Sequence, residues 1–313
     1  MCEANCYTCV MKDKVFIIIP AHNRKSITLK CLNILEQNGD LAQFSVIVVD
    51  DGSTDGTSTA IQEQFPQVYI LKGDGNLWWT GAICMGMKYA IAQGAEYIIW
   101  LNDDCYPKKG TLEKLLIFCQ EDHQLVVGGN TLDYETGQTV YSGFRFYPYP
   151  PTLITSLNLS ESLVDCDGLN GNIVCFHKSL INTIGYPNYN IFPHYGGDII
   201  YTFKAKKDGF KLRICPSAIA FSDQNHTSAS FLSILSSRQE ILENVRQRFN
   251  IKSATYWKAD LGIYWVLYGI KGVLYRIISV FTVICLVILL PKNFREYLQK
   301  PVMNIYNRLR YVL

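Results

Sequence analysis

The chain is 313 residues long, 49% apolar and 18% charged, long enough to bury a substantial core as one large domain or two modest ones. Lysine and arginine number 29 against 27 aspartate and glutamate, so no global field attracts nucleic acid and any binding must come from a local site. Eleven cysteines at irregular spacing, with no early apolar run long enough for a signal peptide, are expected to be reduced thiols in a cytosolic setting, and Cys2, Cys6 and Cys9 are read as incidental rather than as iron–sulfur ligands.

"VFIIIP" (Val15 to Pro20) is a β-branched run closed by proline and predicts a strand buried on both faces. "SVIVVDDGSTDGT" repeats the design with Asp50 and Asp51 at its end, "VYIL" (Val68 to Leu71) runs into "KGDGN", and "YIIWLNDD" ends in Asn102, Asp103 and Asp104. The intervening "KSITLKCLNILEQ", "GTSTAIQEQF" and "TGAICMGMKYAIAQG" suit helices. Strand and helix alternating at this spacing imply right-handed crossovers, a largely parallel sheet, and ligands outside the carboxyl ends of the strands, where all these polar clusters fall. Two carboxylates at a strand tip could hold Mg²⁺ or Mn²⁺ together with substrate phosphate oxygens, or form a solvated turn before Pro107. "DDGSTDG" also begins like a calcium loop, but Gln62 stands where its bidentate glutamate belongs.

"IIIPAHNR", "VIVVDDGSTDGT", "GDGNLWWTGAICMGMKYA" and "IIWLNDD", in this order, resemble the inverting family 2 glycosyltransferases of GT-A fold, most closely a bacterial branch that includes rhamnosyltransferases and other cell-surface polysaccharide enzymes. The resemblance runs from about Val15 to His226. It implies an α/β, Rossmann-like, mostly parallel sheet flanked by helices, and a nucleoside-diphosphate sugar donor, UDP- or dTDP-linked. It places Pro20, Ala21, Asn23, Asp50 and Asp51 around the base and ribose, which of the two aspartates meets the base being open. Asn76, Trp79 and Gly81 would line the diphosphate and sugar, with a helix starting near Thr80 offering N–H groups to phosphate; Trp78 and Trp79 are each wall or core. Asn102, Asp103 and Asp104 correspond to the family's D-x-D motif with Asn in the first place, and Asp104 matches its metal carboxylate.

Beyond residue 107 the alternation weakens. Gly171 and Asn172 resemble the small residues that face the sugar, and "HYGGDIIYTFKAKKDGFKL" resembles the stretch that carries the catalytic base. Asp198 matches that base and Gly197 replaces the usual glutamate; Asp198 could also be a plain helix cap. His194 could serve the acceptor, and His226 resembles a histidine that completes the metal site, its alternative being a structural role.

From Leu261 the chain turns apolar, interrupted by Lys271 and Arg276. Ile277 to Leu290 would be about 21 Å long as a helix, short of a bilayer core of about 30 Å, so a helix or helical hairpin lying partly in the membrane is favoured over a transmembrane span, a buried core helix or an oligomer interface. Tyr264, Trp265, Tyr268 and Tyr275 would meet the interface, and Lys292, Arg295 and Lys300 the headgroups. The expected organisation is an N-terminal tail (1–14), a nucleotide-sugar half (15–107), an acceptor half (108–230) and a membrane-associated helical region (231–313). Partners are then the sugar donor, a glycan or lipid-linked acceptor and the inner face of the cell membrane, with no nucleic acid. Two competing readings are a non-catalytic sugar-nucleotide-binding scaffold, motivated by Asn102 and Gly197, and a nucleotidyltransferase, for which "PAHNRKS" lacks the usual glycine-rich loop.

Overall fold

A computed structural model describes residues 14–148, 151–154, 162–222, 243, 246–253 and 255–289. The first strands and helices alternate as expected: β1 (Val15–Ala21), α1 (Lys25–Asn38), the short α2 (Asp40–Gln43), β2 (Ser45–Asp50), α3 (Thr57–Gln64), β3 (Tyr69–Lys72), α4 (Trp78–Ala92) and β4 (Tyr97–Leu101). β1 lies between β2 and β4, β3 flanks β2, and all these pairings are parallel, so the four strand tips share one edge.

The second half is mixed. β5 (Tyr106–Pro107), α5 (Thr111–Glu121) and β6 (Leu125–Asp133) are followed by β7 (Thr139–Tyr141), β8 (Gly143–Pro148), β9 (Pro151–Ile154), β10 (Val164–Asp165), β11 (Gly168–Leu169), β12 (Ile173–His177), α6 (Ser179–Ile184), α7 (Gly197–Lys207) and β13 (Lys211–Ser222). β12 runs antiparallel to both β4 and β6, and β13 runs parallel to β6, giving the order β10-β13-β6-β12-β4-β1-β2-β3. The antiparallel β12 brings Ile173 opposite Leu101, so the segment before it, Asn170 to Asn172, meets the tip of β4.

The period-2 geometry of strands divides the core into two layers. Ile17, Ile19, Val48, Ile99 and Leu101 face Leu32 and Leu35 of α1, Ile61 of α3 and Leu112 and Leu115 of α5. Phe16, Ile18, Val49, Ile98 and Trp100 face Ile83 and Met87 of α4, Leu180 of α6 and Tyr201 of α7. Burial on both faces is why these strands read as unbroken apolar runs, and each such side chain contributes about 1.5–3 kcal/mol. All eight cysteines of the described residues are free thiols.

The last described helix, α8 (Trp257–Leu289), breaks at Gly269, where φ is 63° and ψ −155°. In a straight helix Asp260 and Arg276, sixteen residues apart, would be separated by about 24 Å. Instead Arg276 Nε donates to both carboxylate oxygens of Asp260 at 2.9 Å, and Tyr264 stacks on Tyr275, so the chain reverses into a helical hairpin. Arg248 Nη1 adds a third bond to Asp260 at 3.0 Å, and Arg276 also lies over the Tyr264 ring. Arg276 is therefore held by a nearly buried carboxylate within the protein rather than left to reach for an interface. The first limb packs Ala259 and Ile263 against Phe192 and Ile200, directly beside the start of α7.

Asp40 at the start of α2 is buried, its Oδ2 has no partner, and burial pushes its carboxyl up to about 6 from 3.8. The folded state thus keeps a proton that the unfolded chain releases, so stability falls as pH rises from about 3.8 to about 6. Asp40→Asn is expected to remove that part of the slope and to stabilise the protein at pH 8 by about 1–2 kcal/mol, with a smaller gain at pH 5, measured by urea unfolding at the two pH values.

Candidate active site

The strand tips are tied together by carboxylates. Asp50 Oδ1 accepts the Ser53 N–H at 3.0 Å and its Oδ2 accepts the Ser58 hydroxyl. Asp51 reaches across to the β3–α4 turn, where its two oxygens accept the N–H groups of Gly75 at 2.8 Å and Trp78 at 2.9 Å. Both aspartates are buried, at 3% and 4% exposure, so their first role is to shape this edge. Asn23, at φ 51°, closes the other side: its N–H donates to Ser53 Oγ and its Oδ1 accepts the Thr54 N–H, both at 2.8 Å. His22 and Asn23 are exposed after the half-buried Pro20 and buried Ala21, and Asn76 is exposed on the facing turn.

Trp78 has φ 54°, a conformation that costs a bulky residue about 1–3 kcal/mol and here is held by the Asp51 bond. The helix α4 therefore begins at Trp78, two residues before the expected start at Thr80. Its next residue, Trp79, covers Gly171: a Cβ at that glycine would lie 2.3 Å from the indole Cζ2. Trp79 Nε1 donates to Asn102 Oδ1 at 2.7 Å, and because an indole N–H can only donate, this bond orients the Asn102 amide. Its Nδ2 then donates to Asn172 Oδ1 at 2.8 Å, while the Asn102 N–H donates to the Asn172 carbonyl. Asn102 thus accepts and donates at once, which a carboxylate cannot do. Gly81 packs within α4 against Leu77.

Asp103 and Asp104 are buried at 2% and 5% exposure. They are not a solvated turn. One guanidinium spans them: Arg24 Nη1 is 3.2 Å from Asp103 Oδ1 and Nη2 is 2.8 Å from Asp104 Oδ2, and Thr28 Oγ1 donates to the other Asp103 oxygen at 3.0 Å. Burial pushes the Asp103 carboxyl up to about 7, and Arg24 works against that rise. Among the described residues no group of three or more His, Cys, Asp or Glu gathers as a metal cage. The pair nonetheless suits a divalent cation of the Mg²⁺ or Mn²⁺ type, which takes one or two protein carboxylates and completes its shell with phosphate and water, and these carboxylates already attract a positive charge. His226 lies outside the described residues, as do Lys292, Arg295, Lys300 and Cys2, Cys6 and Cys9.

Asp198 stands in the first turn of α7. Its Oδ2 accepts the Gly171 N–H at 2.7 Å and its Oδ1 accepts the Ile199 N–H at 2.8 Å. Desolvation raises its carboxyl above the ordinary range, with these N–H groups opposing the rise. Gly171 thus sits between Trp79 and Asp198, which links the strand tip at Asn102 to the start of α7. The neighbouring Gly197 has no room for a side chain, since a Cβ there would lie 2.2 Å from Oγ1 of the fully buried Thr80. His194 is set edge-on to Trp78 and to Tyr195, with burial lowering its pKa.

The sequence reading passes over Arg24 and Thr28 and takes Thr80 only as a helix start. The first two lie 80 and 75 positions from their carboxylate partners, and no local pattern announces such pairs.

The "Glycosyl transferase family 2" pattern matches residues 16–182, more than half the chain, and the protein belongs to that family. Glycosyltransferase AglE of Haloferax volcanii is 26% identical over 212 residues, covering 66% of this chain and 65% of AglE. Galactofuranosyltransferase GlfT1 of Mycobacterium tuberculosis is 27% identical over 116 residues, covering 37% of this chain and 38% of GlfT1. The chain therefore matches less than two thirds of the length of these relatives. Two solved structures share the fold, which is GT-A-like: GalNAc-T7 with UDP, GalNAc and Mn²⁺ (TM-score 0.55, 13% identity, 75% of this chain and 48% of that one), and S. aureus TarS 1–349 with UDP-GlcNAc (TM-score 0.53, 17% identity, 81% and 70%). The rhamnosyltransferase branch finds no support among these relatives.

Gly197→Ala is expected to destabilise the protein by about 1–3 kcal/mol by overpacking Thr80, and Thr80→Ala, which removes the crowding hydroxyl, is expected to recover most of that loss. A double-mutant cycle in urea reads the coupling, expected to exceed about 0.5 kcal/mol.

Proposed function

We propose that the protein is an inverting glycosyltransferase that moves a sugar from a UDP- or dTDP-linked donor, dTDP-rhamnose being one candidate, to a glycan or lipid-linked acceptor of a cell-surface polysaccharide. The observation that carries this reading is the line of contacts from the acidic tip of β4 through Asn102, Trp79 and Gly171 to Asp198. It sets a desolvated carboxylate, suited to take a proton, next to the edge where a parallel sheet binds ligands. The solved GalNAc-T7 and TarS structures, which hold UDP or a UDP-sugar, support a nucleotide donor.

In this reading the half from 15 to 107 holds the donor and that from 108 to 230 the acceptor. The base and ribose lie over Pro20, Ala21 and Asn23 and the turn shaped by Asp50 and Asp51; Asn76, Trp79 and Gly81 line the diphosphate and sugar. Asp104, next to Asp103 and Asn102, would hold Mn²⁺ or Mg²⁺, with His226 as a further ligand, and the cation would supply charge neutralisation of the departing diphosphate. Asp198 takes the proton of the acceptor hydroxyl while the acceptor oxygen bonds to the anomeric carbon and the carbon–oxygen bond to the diphosphate breaks, inverting that centre.

Asp198→Asn is expected to lower transfer by at least about a hundredfold while leaving donor affinity within about twofold, measured as nucleoside diphosphate release and nucleotide titration. Only ionised Asp198 accepts a proton, and its pKa is raised, so kcat/KM is expected to fall with decreasing pH through a limb above the ordinary carboxylate range. Full activity in Asp198→Asn contradicts the assignment.

The region from 231 to 313 is proposed to rest on the inner face of the membrane. By length and composition Trp257–Thr282 passes as a candidate span, but the reversal at Gly269 favours a hairpin lying in the interface, with Trp265, Ile270, Leu274, Ile277, Ile278 and Phe281 exposed on it. The protein is expected to sediment with anionic phospholipid vesicles, and Ile278→Asp with Phe281→Asp to reduce the bound fraction severalfold. Equal binding of both forms excludes this face as the contact.

A further inference from the structure

Arg24 is the described group that sits where a divalent cation would have to go. Its guanidinium is 2.8 Å from Asp104 Oδ2 and 3.2 Å from Asp103 Oδ1, and both carboxylates are buried. Two adjacent desolvated carboxylates need a counter-charge, and a guanidinium fork can serve both at once. A divalent cation on the same Asp104 oxygen would place two positive centres within a few ångströms in a poorly solvated site, so the two occupants exclude each other. The Arg24 backbone is fixed, because its carbonyl accepts the N–H of Thr28 at 2.9 Å. Only the side chain is free to move. Its link to Asp103 can persist when Asp104 is taken, since Asp103 is anchored independently by Thr28.

We propose that Arg24 is a resident counter-ion at the strand tip, a latch that a divalent cation must displace from Asp104 before it binds there. The proposal rests on the reading of Asp104 as the cation's ligand. It leaves the site half-neutralised in the resting protein and makes cation binding weaker than the two carboxylates alone would give. The displaced Nη2 group then becomes a donor beside the incoming diphosphate, which favours joint binding of cation and nucleotide over binding of the cation alone.

The test is titration of the full chain with Mn²⁺ alone, following the paramagnetic resonance signal of the free ion, in wild type, Arg24→Gln, Arg24→Lys and the pair Arg24→Gln with Asp104→Asn, each checked for native circular dichroism. Arg24→Gln is expected to bind Mn²⁺ about tenfold more tightly than wild type, and the added Asp104→Asn to abolish the gain. Arg24→Lys, whose ammonium is a single point charge without the fork, is expected to gain by a smaller factor and carries the same test if the glutamine variant does not fold. Mn²⁺ affinity that is unchanged or weakened in the folded variants, or a gain that survives Asp104→Asn, overturns the latch. Transfer by the wild type, measured separately, keeps the two ideas apart: unchanged Mn²⁺ affinity in the variants with Asp198-dependent transfer by the wild type sinks the latch alone, whereas a folded wild type that transfers nothing sinks the glycosyltransferase reading.

Discussion

The site depends on one carboxylate that braces a turn. Asp51, at the tip of β2, accepts two backbone N–H groups from a turn 24 and 27 residues further on, and so fixes how the chain enters α4. Without that bond the positive φ of Trp78 has nothing to offset its cost. With it, Trp79 is aimed over Gly171 and onto Asn102, and Gly171 in turn donates to Asp198. A single buried acceptor on one parallel strand thus sets the distance between the acidic tip of β4 and the proposed base on α7.

The same chain of contacts accounts for two departures from the family's pattern. Asn102 stands where an aspartate is usual, and it bridges a donor-only indole to an amide oxygen, which needs a group that accepts on one side and donates on the other. Gly197 stands where a glutamate is usual, and Thr80 fills the space a side chain would take. Both residues are accounted for by packing and hydrogen bonds within this fold. Neither removes a group from the line that joins the strand tip to Asp198, which weakens the case for a scaffold that merely binds nucleotide.

Much of this was legible in the sequence, for identifiable physical reasons. Strands buried on both faces appear as short apolar runs, their tips as polar clusters, and parallel connection forces those clusters onto one edge; Val15–Ala21, Ser45–Asp50 and Tyr97–Leu101 follow that logic. Asp198 was singled out only by the resemblance of the stretch around it, and the structure sets it in the first turn of α7. The Arg24 guanidinium paired with Asp103 and Asp104 was not legible, because Arg24 belongs to a different strand tip and meets them only after the sheet has formed. A helical hairpin was one of the forms the apolar C-terminal run suggested, but the place of its turn was not legible, since Gly269 in an apolar helical run carries no mark of its φ, and the pairing of Asp260 with Arg276 exists only once the chain has turned. That hairpin places an exposed apolar face on the element that supports Phe192 and Ile200, next to α7, and so joins the proposed membrane contact to the proposed acceptor side.

The central claim is that the polar edge of the sheet binds a sugar nucleotide. Calorimetric titration of the detergent-solubilised protein with UDP and with dTDP, each with and without Mn²⁺, tests it most directly. The account predicts that one of the two nucleotides binds, and that Mn²⁺ strengthens the binding. Binding of neither by protein with a native circular dichroism spectrum, in the presence or absence of the metal, would contradict it.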